Sequence, residues 1–375
     1  MNYNAVIAQE DIKQRLRRQV MEGRVPHAQL FCGPEGTGKL AMAVAFASAL
    51  LCEDPQDGEP CGHCKGCLMT AKAAHPDLHF VFPVFKRKGQ SGDPVSDNYI
   101  REWREQLAET PYFDHTAWLE RIGVENQQSM IYAAEADETV RKLNLVSAQG
   151  GYKVMVVWLP EQMNIAAANK LLKVLEEPMG RTAFVMVSNT PEKLLTTIVS
   201  RTQRIDFKPL TTQQVAEALM QRNALQADDA QHVARLSDGS YTAAVKLLQV
   251  NRDEAMFFDL FVLLMRLSYM RKIKDMSEWA DQVASWGRER QKLFLDFCQR
   301  LVRENFIYNF RKKELNYMSE RESEFAVKFA RFINERNVYG IMDELSAARR
   351  DIEQNVNPRM VFFDFALKMI VLLIQ

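Results

Sequence analysis

The sequence predicts an α/β domain with a parallel sheet over residues 1–208. A small helical domain follows over 209–248, and an all-α domain over 253–375. Three observations predict this. Short apolar runs alternate with helical patterns in the first part, as in strands joined by crossover helices. A glycine-rich turn directly follows the first of those runs. From Leu210 to the end the only proline is Pro358, and helical periodicity dominates.

The bulk numbers agree. The chain has 375 residues, which at roughly 100–200 residues per domain is two or three domains. Hydrophobic residues make up 47% and charged residues 26%, ordinary for a globular protein. Wholesale disorder, collagen-like repeats and a disulfide miniprotein are excluded. The 48 basic and 48 acidic residues cancel, which excludes a uniformly basic nucleic-acid binder but not a local basic patch. No secretory signal is expected near Met1, where Glu10, Asp11 and Lys13 soon follow. The apolar stretch Met360 to Ile374 contains Asp364 and Lys368 and reads as a buried helix, not a membrane span.

The elements follow in order. Gln29 to Cys32 is a strand ending at Gly33. Gly33-Pro-Glu-Gly36-Thr37-Gly38-Lys39 then matches the phosphate-binding loop G-x-x-x-x-G-K, and the helical run Leu40 to Leu51 follows. Strand, loop and helix are the context this motif needs. Its glycines turn backbone N–H groups toward phosphate oxygens, and Lys39 adds a point charge at a helix N-terminus. Leu40 stands where Ser or Thr would offer Mg²⁺ a hydroxyl.

Cys52, Cys61, Cys64 and Cys67 form C-x8-C-x2-C-x2-C. Four thiolates at this spacing suit a closed, structural Zn²⁺ site. An iron–sulfur cluster is the alternative, and His63 and His75 lie close enough in sequence to replace a ligand. Cys32 and Cys298 read as core residues. The polar stretch Lys86 to Ser96 opens an insertion over 87–128. It carries Trp103, Tyr112, Phe113 and Trp118, so most of it is expected to pack.

Lys153 to Trp158 (KVMVVW) is a second buried strand. Active ATPases follow such a strand with an Asp for magnesium and a neighbouring Glu for the attacking water. Here Leu159-Pro160-Glu161 follows, and only Glu161 is acidic. Ala183 to Val187 and Arg204 to Phe207 are further strands. No pair of carboxylates is placed to hold two metals for nucleotide polymerisation. In the last third, Phe257, Phe258, Phe261, Phe294, Phe297, Phe325, Phe329 and Phe332 recur at helical spacing and read as core. Arg311-Lys312-Lys313 reads as a solvated face. Arg15, Arg17, Arg18 and Arg24 are read the same way, with DNA contact as the alternative.

The order of these stretches resembles a known family. Gly23 to Ala28 (GRVPHA), the phosphate loop, the cysteine module, His75-Pro76-Asp77, Lys170 to Pro178 (KLLKVLEEP), Ser188-Asn189-Thr190 and Ser200-Arg201 resemble AAA+ clamp-loader subunits. They are most similar to the delta-prime type of bacterial DNA polymerase III. The resemblance spans 1–86 and 129–248 well, the last third more weakly, and excludes the insertion. It implies an AAA+ P-loop domain, a helical lid and a C-terminal helical collar. It implies nucleotide contacts from Gly33, Gly36, Thr37, Gly38, Lys39 and Asn189, the last as a γ-phosphate sensor. It also implies that Arg201 acts as an arginine finger in a neighbour's site, with a surface salt bridge as the alternative.

The second sensor arginine of ATPase subunits is replaced by Thr242, after Gly239-Ser240-Tyr241. Together with Leu40 and Leu159, this favours a non-motor subunit whose ATP or ADP binding is weak or absent and whose own ATPase activity is absent. The implied partners are gamma/tau-like and delta-like subunits in a ring. The sliding clamp and primer–template DNA are reached through that complex, in the bacterial cytoplasm and not at a membrane. Two alternatives stay open: an active gamma/tau-like ATPase subunit, and a zinc-containing nucleic-acid-binding module.

Overall fold

The computed structural model describes residues 2–86, 92–123, 129–147, 150–178, 180–310 and 318–374. Arg311-Lys312-Lys313, expected as a solvated face, and both ends of the 87–128 insertion lie outside them. Contacts divide the chain into two units, Met1–Leu247 and Leu248–Gln375. The short helical stretch after residue 209 falls within the first unit up to Leu247.

The first unit begins with α1 (Glu10–Met21), β1 (Ala28–Cys32), α2 (Lys39–Leu50) and α3 (Lys65–Ala71). β2 (Leu78–Val81), α4 (Ile100–Glu109), α5 (His115–Arg121) and α6 (Ala133–Asn144) follow. Next come β3 (Lys153–Trp158), α7 (Ile165–Glu176), β4 (Thr182–Ser188), α8 (Thr196–Val199) and β5 (Gln203–Asp206). α9 (Thr212–Asn223) and α10 (Ala227–Leu236) complete it, with the start of α11 (Tyr241–Met270).

The five strands form one sheet in the order β2-β3-β4-β1-β5, and every pairing is parallel. β1, β3 and β4 are buried at every position. That explains their unbroken apolar runs, since a parallel sheet covered by helices has no wet face to alternate toward. α2 packs on β1, β3 and β4 and is buried along its whole length. α7 sends Ala168, Leu171 and Leu175 into a cluster with Leu30, Met155 and Phe184.

β2 was not among the expected strands. It is short, includes His79, and finds its place by pairing with β3 from Leu78↔Val154 to Val81↔Val157.

The described part of the insertion packs tightly. Trp103 and Trp118 are fully buried. Trp103 stacks on Phe82 at 4.2 Å and meets Trp118 edge-on at 5.1 Å. Both Trp103 and Phe113 lie against Trp158, at 5.4 and 5.1 Å. Trp118 Nε1 donates to Pro83 O at 2.8 Å. Tilted and edge-on rings of this kind add about 0.5–1.5 kcal/mol per pair beyond burial. The insertion is thereby fixed to the last residue of β3, beside the phosphate loop.

The second unit holds the rest of α11, then α12 (Ile273–Ala284), α13 (Arg288–Tyr308), α14 (Glu320–Phe329), α15 (Val338–Glu353) and α16 (Pro358–Leu372). Its core contains Phe257, Phe258, Phe261, Trp279, Phe294, Phe297, Phe329 and Phe362, with Phe325 and Phe332 packed against it half-buried. The phenylalanine stripes are core, as their spacing predicts. Among the described residues no helix is long and apolar enough to cross a membrane.

Candidate functional site

The phosphate loop joins β1 to α2. Gly36 and Gly38 have φ of +78° and +90°, the left-handed region that only glycine enters freely. Both are also crowded. A Cβ on Gly36 would strike Ser240 Oγ and lie 2.9 Å from Thr242 N. One on Gly38 would lie 2.8 Å from the Tyr112 hydroxyl. Tyr241 N donates to Gly36 O at 3.2 Å, so the start of α11 is fastened onto the loop.

Lys39 is turned toward its own loop. Its Nζ donates to Gly33 O at 2.7 Å and to Pro34 O. The side chain is buried, and that burial pushes the ammonium down to about 8. Thr37 Oγ1 donates to Pro34 O at 2.9 Å. Leu40 is buried at the first turn of α2. Thr242, which follows Gly239-Ser240-Tyr241, lies against Gly36.

Directly after β3, Leu159 takes a left-handed conformation, φ 53°, and is buried. Glu161 faces the end of β4. Its Oε1 accepts the backbone N–H of Asn189 at 2.8 Å and of Thr190 at 3.3 Å. The one acid directly after β3, which lies past a proline that ends the strand, thus organises the turn carrying Asn189.

Arg201 follows α8. It pairs with Glu176 Oε1 at 2.6 Å and donates to Thr197 O at 2.9 Å. Both members of the pair are more than a third exposed. This is the salt bridge that the sequence left open, and it links the Ser-Arg turn to the Leu-Glu-Glu-Pro stretch.

The four cysteines converge. Their sulfurs all lie within 4.8 Å of one another, with Cys52–Cys64 and Cys61–Cys67 both at 3.9 Å. A tetrahedron with metal–sulfur bonds of about 2.3 Å has edges of about 3.8 Å, so the cluster fits a metal ion. Backbone N–H groups of Cys61, Cys64 and Cys67 point at the sulfurs of Cys52, Cys61 and Cys64, at 3.2, 3.4 and 3.3 Å. The His63 backbone N–H, then that of Cys64, hold the Cys61 thiol down to about 7. His63 and His75 point elsewhere: His63 Nδ1 meets Cys61 O, and His75 Nδ1 accepts the Asp77 N–H.

Two features lay beyond the sequence. Tyr112 of the insertion reaches the phosphate loop, and its oxygen accepts the Ile7 N–H at 2.8 Å. A cavity of about 750 Å³ lies beside it. Val6, Ile7 and Gln9 line one side, and Lys208, Thr211 and Arg222 the other. Only the aromatic richness of the insertion hinted at a packing role, not at this destination.

A parallel sheet with a phosphate loop after β1 and a polar turn after β4 defines a P-loop module. The match goes further: residues 8–211 fit the family model described as DNA polymerase III, delta subunit. The chain belongs to that family, and its fold is an AAA+ domain with an all-α C-terminal part. It is 28% identical over 246 residues to the DNA polymerase III subunit delta' of Bacillus subtilis, covering 66% of this chain and 60% of that one. The corresponding subunit of Escherichia coli K12 is 31% identical over 243 residues, covering 64% and 60%. The Bacillus subtilis tau subunit is 24% identical and covers 97% of this chain and 60% of its own. The chain thus spans about 60% of the length of these curated relatives. Among solved structures, the RuvB Holliday junction branch migration motor of Thermotoga maritima aligns with TM-score 0.40 and 15% identity, over 68% of this chain and 64% of that one.

Proposed function

We propose that this chain is a non-motor, delta-prime-like subunit of a DNA polymerase III clamp loader. It assembles with gamma/tau-like and delta-like subunits in a ring. There Arg201 stabilises charge on the γ-phosphate bound by a neighbour, while the loader places the sliding clamp on primer–template DNA. The site on this chain does not hydrolyse ATP, and Cys52, Cys61, Cys64 and Cys67 hold a structural Zn²⁺.

One observation carries the reading. Glu161 is the sole acid directly after β3, and its Oε1 is bonded to the Asn189 and Thr190 amides. Leu40 and Leu159 stand where magnesium ligands belong. Phosphoryl transfer depends on electrostatic stabilisation by those parts, so their loss removes turnover before it removes binding. An arginine can still serve a neighbour, because a forked, always-charged guanidinium acts from outside the site it completes.

Reconstitution tests the proposal. The chain should co-purify with gamma/tau-like and delta-like subunits and raise DNA-stimulated ATP hydrolysis by the complex, while showing none alone. Turnover by the lone chain would favour the motor-subunit alternative. Failure to assemble would sink the reading altogether.

A further inference from the structure

Tyr112 belongs to the insertion, outside the stretches that define the AAA+ pattern, yet it sits at the mouth of the phosphate loop. Its hydroxyl lies 2.8 Å from where a Cβ on Gly38 would be. The glycine that clears room for a phosphate group in such loops here clears room for a tyrosine of the same chain. The ring is buried and tied on every side. Ile7 N–H donates to its oxygen at 2.8 Å. The Arg222 guanidinium covers it at 5.2 Å, and Tyr241 meets it edge-on at 5.1 Å.

The neighbouring residues fasten the same segment. Asp114, which caps α5 by accepting the Ala117 N–H, pairs with Lys246 of α11. The His115 backbone is hydrogen-bonded to Glu35 of the loop. Arg222 donates to Ala5 O at 2.7 Å. Residues 112–115 therefore join the N-terminal segment, the phosphate loop, α9 and α11. Lys39 is satisfied by its own loop, bonded to Gly33 O and Pro34 O.

We propose that the insertion is an intramolecular plug: Tyr112 occupies the nucleotide site at Gly38 and holds α11 down on the loop, so a nucleotide binds only by expelling it. This deepens the non-motor reading by giving its silent site a cause other than missing magnesium ligands. The phenol supplies the hydrogen-bond acceptor that Ile7 N–H needs, and its ring supplies the apolar filling. The site is thereby complete without a ligand. Expelling a buried aromatic costs enough apolar contact to weaken binding by roughly 10–100-fold.

The test is nucleotide binding by the full chain, read as a fluorescence titration with a methylanthraniloyl derivative of ADP. Tyr112→Ala should bind roughly 10–100-fold more tightly than the unaltered chain. Adding Lys39→Ala should abolish that gain. Tyr112→Phe keeps the ring but loses the Ile7 bond, so it should tighten binding by a smaller factor than Tyr112→Ala. Asp114→Asn can still cap α5 but loses the Lys246 pair, so it should tighten binding by a smaller factor. It serves alone should Tyr112→Ala fail to fold, which thermal melting reports. Folded Tyr112→Ala or Asp114→Asn binding no better than the unaltered chain would overturn the plug. ATPase assays on the reconstituted loader test the trans role of Arg201 independently, so the two ideas fail by different measurements.

Discussion

Arg201 and Glu176 form an ion pair at 2.6 Å that joins the Ser-Arg turn to the last residue of α7. An exposed pair of this kind contributes about 0–1 kcal/mol. It orients the guanidinium without trapping it, so on the proposed reading a stronger anion from a neighbouring subunit takes it over.

The first prediction concerns that exchange. Arg201→Ala should leave the chain folded and able to assemble, yet lower DNA-stimulated ATP hydrolysis by the reconstituted loader. Trans arginines are worth about 10³–10⁵ in rate at the site they complete, and a loader with several sites shows less. Arg201→Lys should rescue little, because an ammonium lacks the planar fork. Glu176→Gln frees the guanidinium and should leave activity at or above normal. Full activity with Arg201→Ala in an intact complex, confirmed by gel filtration, would reduce this chain to a scaffold.

The lone chain should hydrolyse ATP far below about 1 per second, the low end for working enzymes. A Leu40→Thr, Leu159→Asp double variant restores only the two magnesium ligands. It should remain inactive, since Glu161 stays bound to the Asn189 and Thr190 amides. Steady turnover by the unaltered chain, lost on Lys39→Ala, would contradict the non-motor reading.

About one zinc per chain is expected from metal analysis of purified protein. Cys64 also caps α3 by accepting the Cys67 N–H. A serine can still cap, so Cys64→Ser isolates the metal's share: zinc should fall from about one to about none, and the melting temperature with it. A well-folded preparation free of any metal would refute the site.

His79 gives a pH signature. Burial holds its imidazole down to about 4 from 6.5; Lys142 and Lys153 push the same way, and Asp97 and Asp77 oppose. The folded state therefore keeps His79 neutral where the unfolded chain protonates it. Its contribution is full above 6.5 and is lost as pH falls toward 4. Urea unfolding should show the unaltered chain losing stability relative to His79→Gln between pH 7 and 5. Parallel pH profiles would show that His79 is not the group responsible.

How much of this was legible in the sequence follows from range. The phosphate loop, the cysteine cluster and the phenylalanine stripes are local patterns, and each is where its spacing puts it. β2 was missed because four residues including a histidine carry too little periodicity; pairing with β3 makes it a strand. The destination of Tyr112 depends on Ile7 and Tyr241, far away on either side of it, and no local pattern encodes that meeting. The pairing of Arg201 with Glu176 is hidden in the same way, although both motifs were visible singly.

The strand order has a consequence for synthesis. β1, which leads into the phosphate loop, pairs with β4 through Ala28↔Phe184 and with β5 through Gln29↔Gln203. On the ribosome this apolar strand emerges early and waits, unpaired on both sides, until the chain has been made past β4. Pairings so distant in sequence close slowly, and an exposed apolar edge invites other chains to pair with it. A nascent chain released before Phe184 therefore carries an apolar strand with neither partner yet made, whereas one released after Asp206 has both.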